Sequence, residues 1–419
     1  MNGLLLIGVI LAGGLLLGEL AEKVRLPRIT GYLLAGIALN PRLFRIFPPD
    51  FTRHTDLVTN MALAFITFSV GGSLLRAKLQ RLGRTIVWVT VCEAECALIV
   101  VAAGFIINFY LVGGPAGMSQ AALFIPLSIF LAALASPTDP TATLAVVHQY
   151  RAKGEVADTI MGVAAFDDVF GIVNYSLGVG IAGAIISHGS FAVETSLLVP
   201  LARISGGVAL GAAFGFALNL ATRLAKRETE GELIVLIFAA LALCFGAARL
   251  CHVDELLATM AMGCIVANFN AQQETVFGLL ERYTEELIFV FFFTLSGMQL
   301  SFSILGEVYG LVLLFVFLRA TGKVAGTALG GLASNASSQV RKFVPLGLLP
   351  QGGIVIGLAL LMKSKPEFAS IADVVVGIVI GATVIHEILG PIASEGALKL
   401  AGETHESDGA RVDSRRTGR

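Results

Sequence analysis

The stretch Gly162-Val163-Ala164-Ala165-Phe166-Asp167-Asp168-Val169-Phe170-Gly171-Ile172-Val173 decides how this chain is organised. Two adjacent aspartates lie in an apolar run whose nearest upstream charge is Asp158. At mid-depth in lipid a lone carboxylate costs several kcal/mol, on scales that run from about 3 to well above 10. Two carboxylates in one helical turn also repel each other. No structural need calls for the pair, so it marks a place where cations and protons are held. The rest of the chain must supply a path to it and something that moves around it.

The composition sets the environment. Of 419 residues, 56% are hydrophobic and only 14% charged, and the mean hydropathy is +0.83. Ordinary soluble domains do not reach such values. Apolar runs of about 17–25 residues recur from end to end, which specifies a polytopic helical membrane protein. The runs are continuous rather than alternating, which excludes a β-barrel. The first apolar run, up to Leu20, has no positive n-region and no small-x-small cleavage site, so it is a first span and not a signal peptide. A net charge of −1 gives no footprint for nucleic acid, and no such partner is expected.

Hydropathy places spans near residues 3–20, 29–47, 57–75, 85–109, 120–148, 156–183, 196–222, 232–249, 254–270, 285–302, 305–333, 342–362 and 370–396, thirteen in all. The fifth, eleventh and thirteenth are long enough to predict tilt or a break. Residues 1–400 form the transmembrane domain, and 401–419 a short polar cytoplasmic tail expected to be disordered. Lys and Arg gather in the connections after odd-numbered spans, as at Lys23 and Arg28, at Arg76 and Arg84, and at Arg223 and Arg227. The tail adds Lys399, Arg411, Arg415, Arg416 and Arg419. The positive-inside rule then sets the N-terminus outside and the C-terminus in the cytoplasm.

Two spans carry breakers. The fifth contains Ser136-Pro137-Thr138-Asp139-Pro140-Thr141, and the twelfth contains Leu349-Pro350-Gln351-Gly352-Gly353. Each proline removes a backbone donor and pushes its predecessor out of the α region. If spans one to six and eight to thirteen are two repeats, the broken spans are the fifth member of each, and the second repeat is inverted. Paired interrupted helices in corresponding positions of inverted halves point to a transport site at the midplane.

Asp139 sits at the first break beside Thr138, whose hydroxyl can offer an oxygen ligand. Neighbouring helical residues point about 100° apart, so Asp167 and Asp168 cannot do the same job. Span eleven carries Arg319 and Lys323, four residues apart on one face. Charge balance points to an ion pair between Lys323 and Asp167, leaving Asp168 for the substrate. A cation and a proton then compete for the same oxygens, and that competition alone gives exchange. Carboxylate, hydroxyl and carbonyl oxygens from Asp168, Asp167, Thr138 and Asp139 suit a hard cation such as Na⁺. Arg319, Ser136 and Gln351 are auxiliary candidates. Glu93, Glu95, His386 and Glu387 are intramembrane ionisable residues whose roles stay open.

Together these stretches resemble bacterial monovalent cation/proton antiporters, in the branch that carries paired aspartates. The resemblance rests on Ile29-Thr30-Gly31-Tyr32, Ser136-Pro137-Thr138-Asp139-Pro140, Phe166-Asp167-Asp168-Val169, Phe292-Phe293-Thr294-Leu295-Ser296-Gly297-Met298, Gly322-Lys323 and Pro350-Gln351-Gly352-Gly353. It implies an all-α homodimer whose core holds two crossed broken helices, the core including roughly 57–183 and 285–396. It implies elevator-type alternating access with Asp168 as the main cation- and proton-binding carboxylate, Asp167 as the partner of Lys323, and no cofactor. A pair of aspartates, in place of asparagine and aspartate, implies electrogenic exchange.

Three rivals remain on the sequence. An intramembrane aspartyl protease needs Gly-x-Gly-Asp, which is absent, and adjacent aspartates cannot flank a scissile bond. A sodium-coupled organic-anion symporter of similar architecture would not need Lys323 beside paired aspartates. A passive channel would not saturate.

Overall fold

The computed structural model describes residues 3–24, 26–41, 55–76, 83–114, 121–188, 198–224 and 229–404. Among them the regular secondary structure is helical throughout. In chain order the helices are α1 (Gly3–Lys23), α2 (Arg28–Ala38), α3 (Asp56–Ser73), α4 (Arg84–Val112), α5 (Ala121–Ala133), α6 (Pro140–Gln149), α7 (Glu155–Ala164) and α8 (Asp167–His188). There follow α9 (Val199–Leu224), α10 (Glu230–Leu250), α11 (Glu255–Phe269), α12 (Gln273–Tyr283) and α13 (Glu285–Met298). The last are α14 (Phe302–Ala333), α15 (Ser338–Gly347), α16 (Ile354–Lys363) and α17 (Ala369–Leu400).

Among the described residues, seven helical segments are long and apolar enough to cross a membrane, and shorter apolar helices accompany them. Their outward faces are apolar too, with Leu111, Phe317, Leu243 and Leu389 exposed. A helix apolar all round needs a nonpolar surrounding.

The helices sort into two packed sets. The halves α5 and α6, α7 and α8, and α15 and α16 pack with α4, α14 and α17. Separately, α3, α9 and α10 surround α11, while α1, α2 and α13 pack together. Along the first set, α4 and α14 meet at backbone distance. Gly322, Gly326 and Gly330 of α14 lie against the main chain of Ala97, Glu93 and Val89, and a Cβ on any of them would collide with it.

Several expectations need revision. The span drawn at 29–47 forms a helix only to Ala38, and its residues 42–47 lie outside the described residues. The span drawn at 156–183 is divided at Ala165 and Phe166, so Asp167 and Asp168 open a helix instead of lying inside one. A third break thus joins the two announced by proline. At this two-residue turn Phe166 N–H turns back to the Val163 carbonyl, and the Ala165 carbonyl lies 3.5 Å from Ser73 Oγ of α3. The long α14 and α17, 32 residues each, are unbroken although Pro391 lies inside α17. At 1.5 Å per residue each is about 48 Å long, more than a hydrocarbon core of about 30 Å. The connection between the spans drawn at 254–270 and 285–302 forms the amphipathic α12.

The tail begins folded. Glu403 is buried, and its carboxylate accepts from the Val156 and Ala157 N–H groups at the start of α7, each at 2.8 Å. Carboxylates at a helix N-terminus satisfy orphan donors and complement the dipole. Residues 405–419 lie outside the described residues.

Candidate ion-binding site

Proline and glycine unwind two chains, and the unwound segments then supply each other's hydrogen bonds. Leu134 to Asp139 separates α5 from α6, and Leu348 to Gly353 separates α15 from α16. Where they cross, Asp139 N–H donates to the Pro350 carbonyl at 3.2 Å. Thr143 Oγ1 donates to the Gly347 carbonyl at 3.2 Å, and Gln351 Nε2 to the Leu134 carbonyl at 3.3 Å. Buried backbone groups left unpaired here would each cost several kcal/mol.

Arg319 pairs four carbonyls of the two breaks. Fully buried, it donates from Nε to Ala135 O at 2.9 Å, from Nη1 to Leu349 O at 2.7 Å, and from Nη2 to Pro137 O at 2.7 Å and Pro350 O at 3.3 Å. One planar guanidinium therefore ties both breaks to α14. Only arginine offers five donors in a fixed fork.

One turn further along α14, Lys323 enters the same centre. Its Nζ lies 2.6 Å from the Ser136 carbonyl, 2.8 Å from Glu93 Oε2, 2.9 Å from Thr138 Oγ1 and 3.5 Å from Asp167 Oδ2. Thr138 Oγ1 also donates to Asp167 Oδ2, so its hydroxyl bridges the ammonium and the carboxylate. Lys323, Glu93 and Asp167 are all fully buried.

Asp168 is buried beside this group and feels the charges of Asp167, Asp139 and Lys323. Its Oδ1 finds no donor among the described residues. Ser136 contributes its carbonyl rather than its hydroxyl, which has no partner there. Gln351 spans the crossing and its Oε1 meets His386 Nδ1 at 2.9 Å. Glu387 is buried, accepts from Thr30 Oγ1 at 3.3 Å and interacts with Asp139. Glu95 stands apart, with its Oε1 3.4 Å from Asn174 Nδ2.

All eight of the residues singled out as candidates thus meet at the crossing. Glu93 joins them, and its sequence signal was only that of a carboxylate at membrane depth. Around the crossing the carboxyl groups Glu93, Asp139, Asp167, Asp168 and Glu387 outnumber the cations Arg319 and Lys323. Such a site draws in positive charge as cations or as protons. Among the described residues no group of three or more His, Cys, Asp or Glu converges closely enough to hold a metal ion alone. A cation here would complete its shell with hydroxyl, carbonyl and water oxygens.

Comparison with known proteins identifies the family and the fold. The sequence profile of the family described as sodium/hydrogen exchanger, transmembrane, matches residues 7–395. Na(+)/H(+) antiporter 1 of Methanocaldococcus jannaschii is 27% identical over 202 residues, 48% of this chain and 43% of that protein's length. The probable Na(+)/H(+) antiporter GerT of Bacillus cereus is 22% identical over 374 residues, covering 87% of this chain and 92% of its own. The solved structure of the sodium proton antiporter MjNhaP1 from Methanocaldococcus jannaschii at pH 8 superposes with a TM-score of 0.73. It shares 22% identity and covers 95% of this chain and 98% of that one. The all-helical fold is therefore of that type.

Proposed function

The chain belongs to the sodium/hydrogen exchanger family, and on that premise we propose that it is a secondary transporter exchanging Na⁺, or Li⁺ or K⁺, for H⁺ across an inner membrane. Asp168 is the shared carboxylate: it holds the cation when ionised and the proton when the cation leaves. The single observation carrying this reading is that Asp168 lies buried at the crossing with an oxygen that no donor among the described residues satisfies. Neighbouring oxygens of Thr138, Asp139 and Asp167 complete the cation's surroundings. The chemistry needs no cofactor and forms no covalent intermediate.

Exchange follows from competition. A carboxylate that takes either a cation or a proton, but not both, couples the two flows in opposite directions. With two aspartates at the site, loading two protons, one on each carboxylate, in place of one monovalent cation moves one net charge, so the exchange is electrogenic.

For access we propose elevator movement of the set holding α4 to α8 and α14 to α17, narrower than the 57–183 and 285–396 that the resemblance implies, because α3 packs on α11 and α13 packs on α1 and α2. The hydrogen bonds from Arg319 to both breaks make that set one body and support the reading. The remaining helices, with a second copy of the chain, form the fixed part. The reading keeps thirteen crossings in two inverted six-span repeats, and the Lys/Arg distribution supports an N-terminus outside.

The test is a proteoliposome assay with an internal pH dye, adding Na⁺, Li⁺ and K⁺ in turn, with and without a potassium clamp. Proton movement driven by a cation, at a rate the clamp changes, is the expected result. Proton movement only with an added organic anion would favour the symporter and overturn antiport.

A further inference from the structure

Resting on the antiport reading, we propose that Glu93, and not Asp167, is the counter-ion Lys323 keeps throughout the transport cycle, which leaves Asp167 free to serve the cation. An ammonium has three N–H donors. The three shortest contacts of Lys323 Nζ are to Ser136 O, Glu93 Oε2 and Thr138 Oγ1, at 2.6, 2.8 and 2.9 Å. Asp167 stands off at 3.5 Å and is reached through the Thr138 hydroxyl. Both carboxylates lie within ion-pair range of Lys323, and Glu93 makes the closer contact, 2.8 Å against 3.5 Å.

Packing makes that pair permanent. Glu93 lies on α4 and Lys323 on α14, and the Gly322, Gly326 and Gly330 face brings the two helices into backbone contact on either side of the pair. Gly326 abuts the Cα of Glu93 itself. Helices in such contact do not separate without losing the whole interface. Asp167, by contrast, stands at the first residue of α8, just past the break at Ala165 and Phe166. A local turn there can carry its carboxylate away from Lys323 while Glu93 stays.

The consequence is chemical. With Lys323 already neutralised by Glu93, Asp167 need not remain its partner when a cation arrives. Both aspartates can then face the cation, and both can be protonated when it departs. Without Glu93, Asp167 becomes the only carboxylate left to neutralise Lys323, and the cation loses a ligand.

The experiment is a double-mutant cycle of thermal unfolding on purified full-length protein, joined to transport assays. Glu93→Gln and Lys323→Met should each lower the melting temperature, and the double variant should recover most of the loss. The same cycle between Asp167→Asn and Lys323→Met should show weaker coupling. In proteoliposomes Glu93→Gln should raise the apparent KM for Na⁺ about tenfold with kcat changed much less, the signature of lost cation binding. Its pH profile should move about one unit toward acid, since a negative charge has been taken from the cluster. Additive melting losses for Glu93 and Lys323, or stronger coupling of Lys323 to Asp167, would overturn the proposal. An unchanged KM and pH profile in a folded Glu93→Gln protein would do the same. If Glu93→Gln cannot be purified, recovery of folded protein in the Glu93→Gln/Lys323→Met double variant supports the pair, and strong Asp167–Lys323 coupling refutes it. If the parent moves no protons with any cation, antiport fails while the melting cycle still judges the ion pair.

Discussion

Lys323 shows how one buried charge can organise a site. Its ammonium holds a carboxylate from α4, a carbonyl and a hydroxyl from the first break, and lies near Asp167 at the head of α8. Removing one partner of a buried pair strands the others, at a cost of about 3–5 kcal/mol. Lys323→Ala should therefore melt well below the parent, and equal melting temperatures would remove the ion pair from the account. Thr138→Val should keep the fold, since the side chains match in shape, but lose the hydroxyl between Lys323 and Asp167. Its apparent affinity for Na⁺ should fall about tenfold, on the scale of one charge-assisted hydrogen bond at about 1.5–3 kcal/mol. An unaltered Na⁺ titration of transport would place Thr138 outside the site. The aspartates were legible in the sequence because a charge at membrane depth stands out by type alone. The place of Glu93 was not. Glu93 and Glu95 look alike in the sequence, and only the azimuth set by the glycine face of α14 turns Glu93 to Lys323 and Glu95 toward Asn174.

Among the helices, the unwound segments carry the design. Pro137, Pro140 and Pro350 announce two breaks, because a missing N–H and a ring clash are local facts. The third break, at Ala165 and Phe166, contains neither proline nor glycine, so local sequence did not announce it. Arg319 is the element-scale counterpart of these breaks. Arg319→Lys keeps the charge but cannot reach carbonyls of Ala135, Pro137 and Leu349 at once. It should lower the melting temperature and cut the yield of folded protein, whereas parent-like melting would mean the crossing holds itself together. The contact between α4 and α14 makes a separate prediction. Gly326→Val drives a branched side chain into the backbone at Cys92 and Glu93 and should abolish transport with a marked loss of stability. Normal flux in that variant would show that the two helices slide freely.

At the scale of the whole molecule, composition and charge placement announced an all-helical membrane protein, and the family match over residues 7–395 agrees with what the motifs implied. The division into two packed sets was not readable, since hydropathy shows which helices are apolar and not which neighbours they choose. The proposed orientation can be tested with a native thiol. Cys251 is exposed in the turn after α10, whereas Cys244 is buried. With the N-terminus outside, a membrane-impermeant maleimide should label Cys251 on intact cells, in a variant lacking the other cysteines. Labelling only in inside-out vesicles would reverse the topology. The central claim, one carboxylate taken in turn by cation and proton, has a more direct test that needs no membrane. Na⁺ is added to purified protein in weakly buffered detergent at the pH of active exchange, and the released protons are counted. Na⁺ should displace protons from the parent and none from Asp168→Asn; equal release from the two proteins would contradict a carboxylate shared by cation and proton.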